Sequence, residues 1–169
     1  MTKAHRHDAV MDRVLADARR EFPDFEFDRV GEQWRATSGQ VDVLADSVAA
    51  LCAELRTGQA VRRAKDLAAV LAEVHHIRAD VHELASGNAI LSVHYGLVAY
   101  TDGEKFWWTS PELSESGSPL LSSALTLKET AAQLAEHHTI LRAREAVDVV
   151  RSELPLLADV ILAEHVDPR

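Results

Sequence analysis

Histidine and carboxylate side chains are the residues of this sequence whose types and spacing could support chemistry. The chain contains nine histidines among its 169 residues. Glu73 and His76 are three positions apart, and on a helix this spacing gives the Glu-x-x-His arrangement of carboxylate-bridged metal sites. His82 follows on the same predicted helix, and His137 or His138 on a later helix would complete a site if the two helices packed antiparallel. Glu73, His76, His82 and His138 are therefore the candidate metal ligands.

The absence of other motifs weakens the metal hypothesis. The sequence has no second Glu-x-x-His and no His-Glu-x-x-His, which are the spacings that announce most helical metal sites. It also lacks a phosphate-binding glycine loop, a dinucleotide fingerprint, a nucleophile elbow and a Cys-x-x-Cys pair. Histidines beside an apolar stripe are more often packed or solvated side chains than ligands. We therefore predict no cofactor and keep a small metal- or His-dependent enzyme as the alternative function.

Aromatic residues form the second candidate site. Strand alternation places Phe106 and Trp108 on one face of their strand and Trp107 on the other. Tyr100 precedes them on the neighbouring predicted strand. Either helices and the rest of the protein cover both faces, or one ring lies at a partner surface, where tryptophan is over-represented among energetic anchors. Phe106, Trp107, Trp108 and Tyr100 are the candidate partner-binding residues.

Composition and charge exclude several function classes. The chain has 18 basic and 27 acidic residues, a formal net charge of −9, which disfavours non-specific binding to nucleic acid because that affinity comes from neutralising phosphates. It has no apolar run near the roughly 20 residues that a membrane span needs. Cys52 is the single cysteine and lies in an apolar run, so we predict a buried structural thiol in a protein of the reducing cytoplasm.

The elements that must position these residues begin with an αββ(β)α unit over residues 1–58. Apolar spacing predicts a first helix over residues 9–20, ended by Pro23. Alternating patterns predict three strands, and Asp46 or Ser47 caps the helix that follows. Gly58 closes the unit. The predicted strands cover residues 25–28, 33–37 and 41–43.

The remainder of the chain is predicted as a long helix, a second unit and a tail. Residues 59–87 contain two apolar stripes over positions 61–85, the pattern of a buried central helix. Residues 88–154 contain a strand over residues 90–95, an Asp102-Gly103 hairpin turn and a capping box at residues 126–129. The serine-rich segment 110–119 is predicted as a loop, either a lid or a solvated connection. Residues 155–169 are predicted as a short amphipathic helix and tail.

A weak internal repeat suggests that the two units are related. Gly31-Glu32 and Gly103-Glu104 each lead into a tryptophan-bearing strand, 72 positions apart. We therefore predict an α+β fold of antiparallel hairpins packed on helices, in two duplicated helix–hairpin–helix units around the long helix. The predicted function is a non-enzymatic protein-binding or regulatory module. Its partner is another protein or a second copy of the chain, bound through the aromatic hairpin and the C-terminal helix.

Overall fold

The computed structural model describes the backbone of residues 3–164 and the side chains of residues 10–147. These residues form an α+β fold of three helices and two antiparallel sheets, which confirms the predicted fold class. The elements in chain order are α1 (Lys3–Glu21), β1 (Glu26–Val30), β2 (Gln33–Ser38), β3 (Val41–Ala45), α2 (Val48–His75), β4 (Asp80–Glu83), β5 (Ala89–His94), β6 (Leu97–Thr101), β7 (Phe106–Leu113), β8 (Pro119–Ala124) and α3 (Leu127–Glu164).

The chain divides into two compact units, and the first contains residues 1–64, 82–90 and 101–104. Its three-stranded sheet has the order β1-β2-β3, with Phe27 opposite Ala36 and Ala36 opposite Val43. The core combines residues from α1, the sheet and the first half of α2; its members are Ala18, Phe22, Phe27, Ala36, Val48, Leu51, Cys52 and Leu55. Ser47 caps α2 as predicted, because its Oγ accepts the Ala50 amide at 3.1 Å.

The second unit contains residues 65–81, 91–100 and 105–169. The five-stranded sheet has the order β4-β5-β6-β7-β8, so each strand pairs with its neighbour in sequence. Alternate residues of β5, β6 and β7 are buried, as a sheet with one covered face requires. The largest buried side chains of this core come from α2, the sheet and α3; they are Leu67, Leu71, Leu91, Leu97, Phe106, Trp108 and Leu134.

The predicted long helix over residues 61–85 is wrong at both ends. One continuous helix, α2, runs from Val48 to His75 through Gly58, so the two helices predicted on either side of that glycine are one. It ends where His76 adopts a left-handed backbone, φ 57°, and the Ile77 amide donates to the Leu71 carbonyl at 3.0 Å. Glycine normally fills such a position, so the sequence carries no visible stop signal. The chain then forms β4, which places His82 on a strand.

The segment predicted as the loop 110–119 is mostly a β-hairpin. Strand β7 continues to Leu113, and β8 begins at Pro119. The pairing of β7 with β8 shifts between Thr109 and Leu113, a bulge in which the Ser110 Oγ accepts the Glu112 amide at 3.1 Å. The Ser114 Oγ accepts the Ser118 amide at 3.0 Å and closes the turn. This bonded hairpin stands where the sequence predicts a loop, either a lid or a solvated connection.

The last helix begins at the predicted capping box and runs through the predicted tail boundary. The Glu129 amide donates to the Thr126 Oγ1 at 3.3 Å, and α3 then continues past Pro155 to Glu164. The apolar face predicted for residues 155–169 lies outside the described side chains. The predicted duplication stays a prediction. The two proposed equivalent turns differ in length, with two residues between β1 and β2 but four between β6 and β7.

Candidate functional site

The structure separates the aromatic hairpin into buried and surface rings. Trp108 is 0% exposed and Phe106 is 1% exposed, both in the core of the second unit. The indole Nε1 of Trp108 donates to the Nδ1 of His137 at 2.9 Å, which satisfies its buried polar group. These contacts remove Phe106 and Trp108 from the predicted partner-binding residues, because neither ring is accessible.

Trp107 lies on the opposite face of the same strand and is half-buried. Its ring stacks on Tyr100 of β6, with 6.0 Å between centroids and 13° between planes. The Lys105 Nζ lies 5.8 Å from the Trp107 centroid, within the range of a cation–π contact. Tyr100 is 38% exposed. The two remaining partner-binding candidates therefore form one stacked pair at the surface of the sheet.

The register of β7 and β8 extends this surface. Trp107 is paired with Ser123, and Thr109 is paired with Leu121. Paired residues of antiparallel strands share a face, so Leu121, which is 73% exposed, lies on the same side as Trp107. We call Tyr100, Trp107, Thr109, Leu121 and Ser123 the aromatic face. It joins a stacked ring pair to an exposed aliphatic side chain and small hydroxyl groups.

The predicted metal ligands are not brought together. Glu73 is exposed near the end of α2, and His76 lies after the helix, so the assumed Glu-x-x-His helix face is lost. His82 is exposed on β4. In the part of the chain that the structure describes, no group of three or more His, Cys, Asp or Glu side chains is arranged to hold a metal ion.

His138 belongs to a different cluster, which no pattern in the sequence predicts. The His94 Nε2 lies 3.0 Å from the Glu145 Oε1, and the His94 and His138 rings meet edge to face at 5.2 Å. Burial lowers the pKa of His138, and the nearby His94 and Arg142 lower it further, while Glu145 opposes them. His94 lies on β5 and the other residues on α3, so no local spacing could have indicated the cluster.

A shallow depression of about 490 Å³ adjoins His94. Arg78, Asp80, Ser92 and Tyr95 contribute to its walls. An imidazole bonded to a carboxylate can relay a proton when a substrate lies within hydrogen-bond distance. The cluster therefore has the groups for acid–base chemistry, beside a surface that is open rather than enclosed.

Cys52 has the surroundings of a structural thiol. It is buried in the core of the first unit. Burial is the largest cause that raises its thiol pKa, and the charge of Glu21 adds to it, against the opposing charge of Arg56. A raised pKa keeps the sulfur as the less nucleophilic thiol, so this residue is a poor candidate nucleophile.

Comparison of the chain with protein-family models, with curated protein sequences and with solved structures gives no match. Among the described residues, no helix has the length and apolar character that crossing a bilayer demands.

Proposed function

We propose that this protein is a small non-enzymatic protein-binding or regulatory module whose contact surface is the aromatic face. The observation that carries the proposal is the Tyr100–Trp107 stack on the side of β7 opposite Phe106 and Trp108. Phe106 and Trp108 already fill the core. Trp107 is therefore a large ring outside this core, and its stacking on Tyr100 holds it in one orientation.

A stacked tryptophan suits an energetic anchor. Stacking fixes the ring before a partner arrives, so little conformational entropy remains to be lost on binding. Tryptophan and tyrosine are enriched among the few interface residues that dominate binding energy. The net charge of −9 disfavours nucleic acid as the partner. We place the protein in the cytoplasm, where a single reduced cysteine such as Cys52 is ordinary.

Affinity capture with two matched aromatic variants tests the proposal. Wild type, Trp107→Ala and Tyr95→Ala are immobilised at equal density and exposed to a lysate of the source cells. Tyr95 is the control because it is a 92% exposed aromatic residue in the β5–β6 turn, off the aromatic face. We expect wild type and Tyr95→Ala to retain the same proteins to the same extent. Trp107→Ala should lose these proteins, although its circular dichroism spectrum stays native. Equal capture by all three chains would contradict the proposal.

The alternative, a small metal- or His-dependent enzyme, has one observation in its favour. His94, His138 and Glu145 meet at the surface, although Glu73, His76 and His82 do not join them. Native mass spectrometry of untagged protein tests this alternative. Extra mass that a chelator removes would support a bound metal ion and with it this alternative. An unchanged apo mass would leave the binding module as the better supported function.

A further inference from the structure

The last strand of the five-stranded sheet has one unpaired side. Within residues 3–164, β8 lies at the end of the sheet and pairs with β7 alone. The backbone groups on the other side of an edge strand are free to pair with an incoming strand. Pairing with β7 is regular from Leu121 to Ala124, so this part of the edge strand lies outside the bulge.

This edge lacks the charges that protect the other edges of the two sheets. Natural edge strands are commonly protected by charged residues, proline or short length. The edge strands β1, β3 and β4 each carry at least one acidic residue, namely Asp28, Asp42 and Asp80. Strand β8 has only Pro119, at its first position. Residues 116–127 contain no charged side chain, although 27% of the chain is charged.

Exposed leucines surround the same edge. Leu121 of β8 is 73% exposed, and Leu113 of β7 is 62% exposed. Leu120 and Leu125 are also exposed. An uncharged edge beside exposed apolar side chains combines main-chain hydrogen bonding with burial of apolar area, the two contributions on which strand addition depends.

We infer that β8 is a self-association edge, which pairs antiparallel with the β8 strand of a second copy of this chain. Each copy has a net charge of −9, so the neutral segment 116–127 is where two copies meet without placing like charges opposite each other. A basic partner would find no acidic residue along this segment. The pairing has two-fold symmetry, as most homodimers do, and it extends the sheet across the contact with both aromatic faces on the same side.

The expected dimer is weak and reversible. Four to six residue pairs and a few leucines bury less area than the roughly 1,200–2,000 Å² of a stable interface. A dissociation constant in the micromolar range or weaker is therefore expected, with a monomer–dimer equilibrium that depends on concentration. The inference rests on the strand edge and does not depend on the proposed function.

Sedimentation velocity over a concentration series tests the inference. The full chain is compared with the double variant Leu121→Lys/Ser123→Lys. This variant places lysines of both copies beside one another where the two β8 strands pair. Leu44→Lys is the control, because Leu44 is an exposed leucine on the edge strand β3. Circular dichroism and thermal melting establish that each variant is folded.

We expect wild type and Leu44→Lys to shift from monomer to dimer with concentration, and the double variant to stay monomeric. A wild type that stays monomeric at concentrations up to about 1 mM would overturn the inference, because the dissociation constant of the dimer would then be weaker than about 1 mM. So would dimerisation that the double variant retains.

Discussion

Trp108 and His137 are joined by a hydrogen bond inside the core of the second unit. The Trp108 Nε1 donates to the His137 Nδ1 at 2.9 Å, and the two residues are 0% and 9% exposed. Because Nδ1 is the acceptor, the bond requires the neutral imidazole with its hydrogen on Nε2. The contact fixes α3 against β7 at one position along the helix. Trp108 is thus the structural member of the Trp107-Trp108 pair, while Trp107 lies on the opposite face of β7.

Removing the acceptor should destabilise the protein. His137→Leu keeps the volume of the side chain but leaves the Trp108 Nε1–H buried without a partner, which costs about 1–3 kcal/mol. Urea denaturation measures the change in the free energy of unfolding. The control is His137→Leu in the background of Trp108→Phe, where no donor remains. We expect a smaller loss there, and equal losses in the two backgrounds would show that the hydrogen bond contributes nothing.

Replacing His76 by glycine should stabilise the protein. His76 has a positive φ of 57°, which L side chains adopt at a cost that glycine avoids. We expect His76→Gly to raise the free energy of unfolding by about 0.5–1 kcal/mol, after the larger backbone entropy of glycine in the unfolded chain is deducted.

The neighbouring residue supplies the control for that change. His75 is the last residue of α2, so His75→Gly introduces glycine in a helical conformation and should lower stability by up to about 1 kcal/mol. Opposite signs for two adjacent His→Gly changes would confirm the left-handed end of α2. Destabilisation by both would contradict it.

Stability should fall on mild acidification because of His138. Its pKa is lowered from the ordinary 6.5, first by burial and then by His94 and Arg142. Between 6.5 and the lowered value the unfolded chain binds more protons than the folded one, so the free energy of unfolding decreases as pH falls through this window.

Two variants assign this pH dependence to His138. His138→Gln should flatten the decrease, because the titrating group is gone. Arg142→Gln should weaken it, since one cause of the lowered pKa is removed while the imidazole remains. The measurement is the free energy of unfolding from urea titrations at a series of pH values. A slope that is the same in wild type and His138→Gln would be incompatible with this assignment.

Local signals in the sequence predicted much of the fold. Gly31, the Asp102-Gly103 pair and the Thr126 cap act on their immediate neighbours, and the turns and helix start that they predict are present. The failures lie where a signal was missing or misleading. His76 ends α2 without a glycine, and Gly58 lies within the helix although a glycine at that position predicts the end of the first unit.

The candidate site was only partly predictable for a related reason. Alternation places Trp107 and Trp108 on opposite faces of β7, but only the packing of α2 and α3 decides which face is covered. The His94–Glu145 pair is separated by 51 positions and depends on tertiary structure alone. A single sequence contains no signal for such a contact.

The measurement that tests the central claim most directly is the affinity of a captured partner for Trp107→Ala. The protein that wild type retains most strongly is purified, and its dissociation constant is measured by isothermal titration calorimetry with wild type, Trp107→Ala and Tyr95→Ala. An anchor residue at an interface contributes about 2 kcal/mol or more, which is about thirtyfold in affinity. We predict a loss of that size for Trp107→Ala and no change for Tyr95→Ala. Equal affinities for wild type and Trp107→Ala would contradict the claim that the aromatic face is the binding surface.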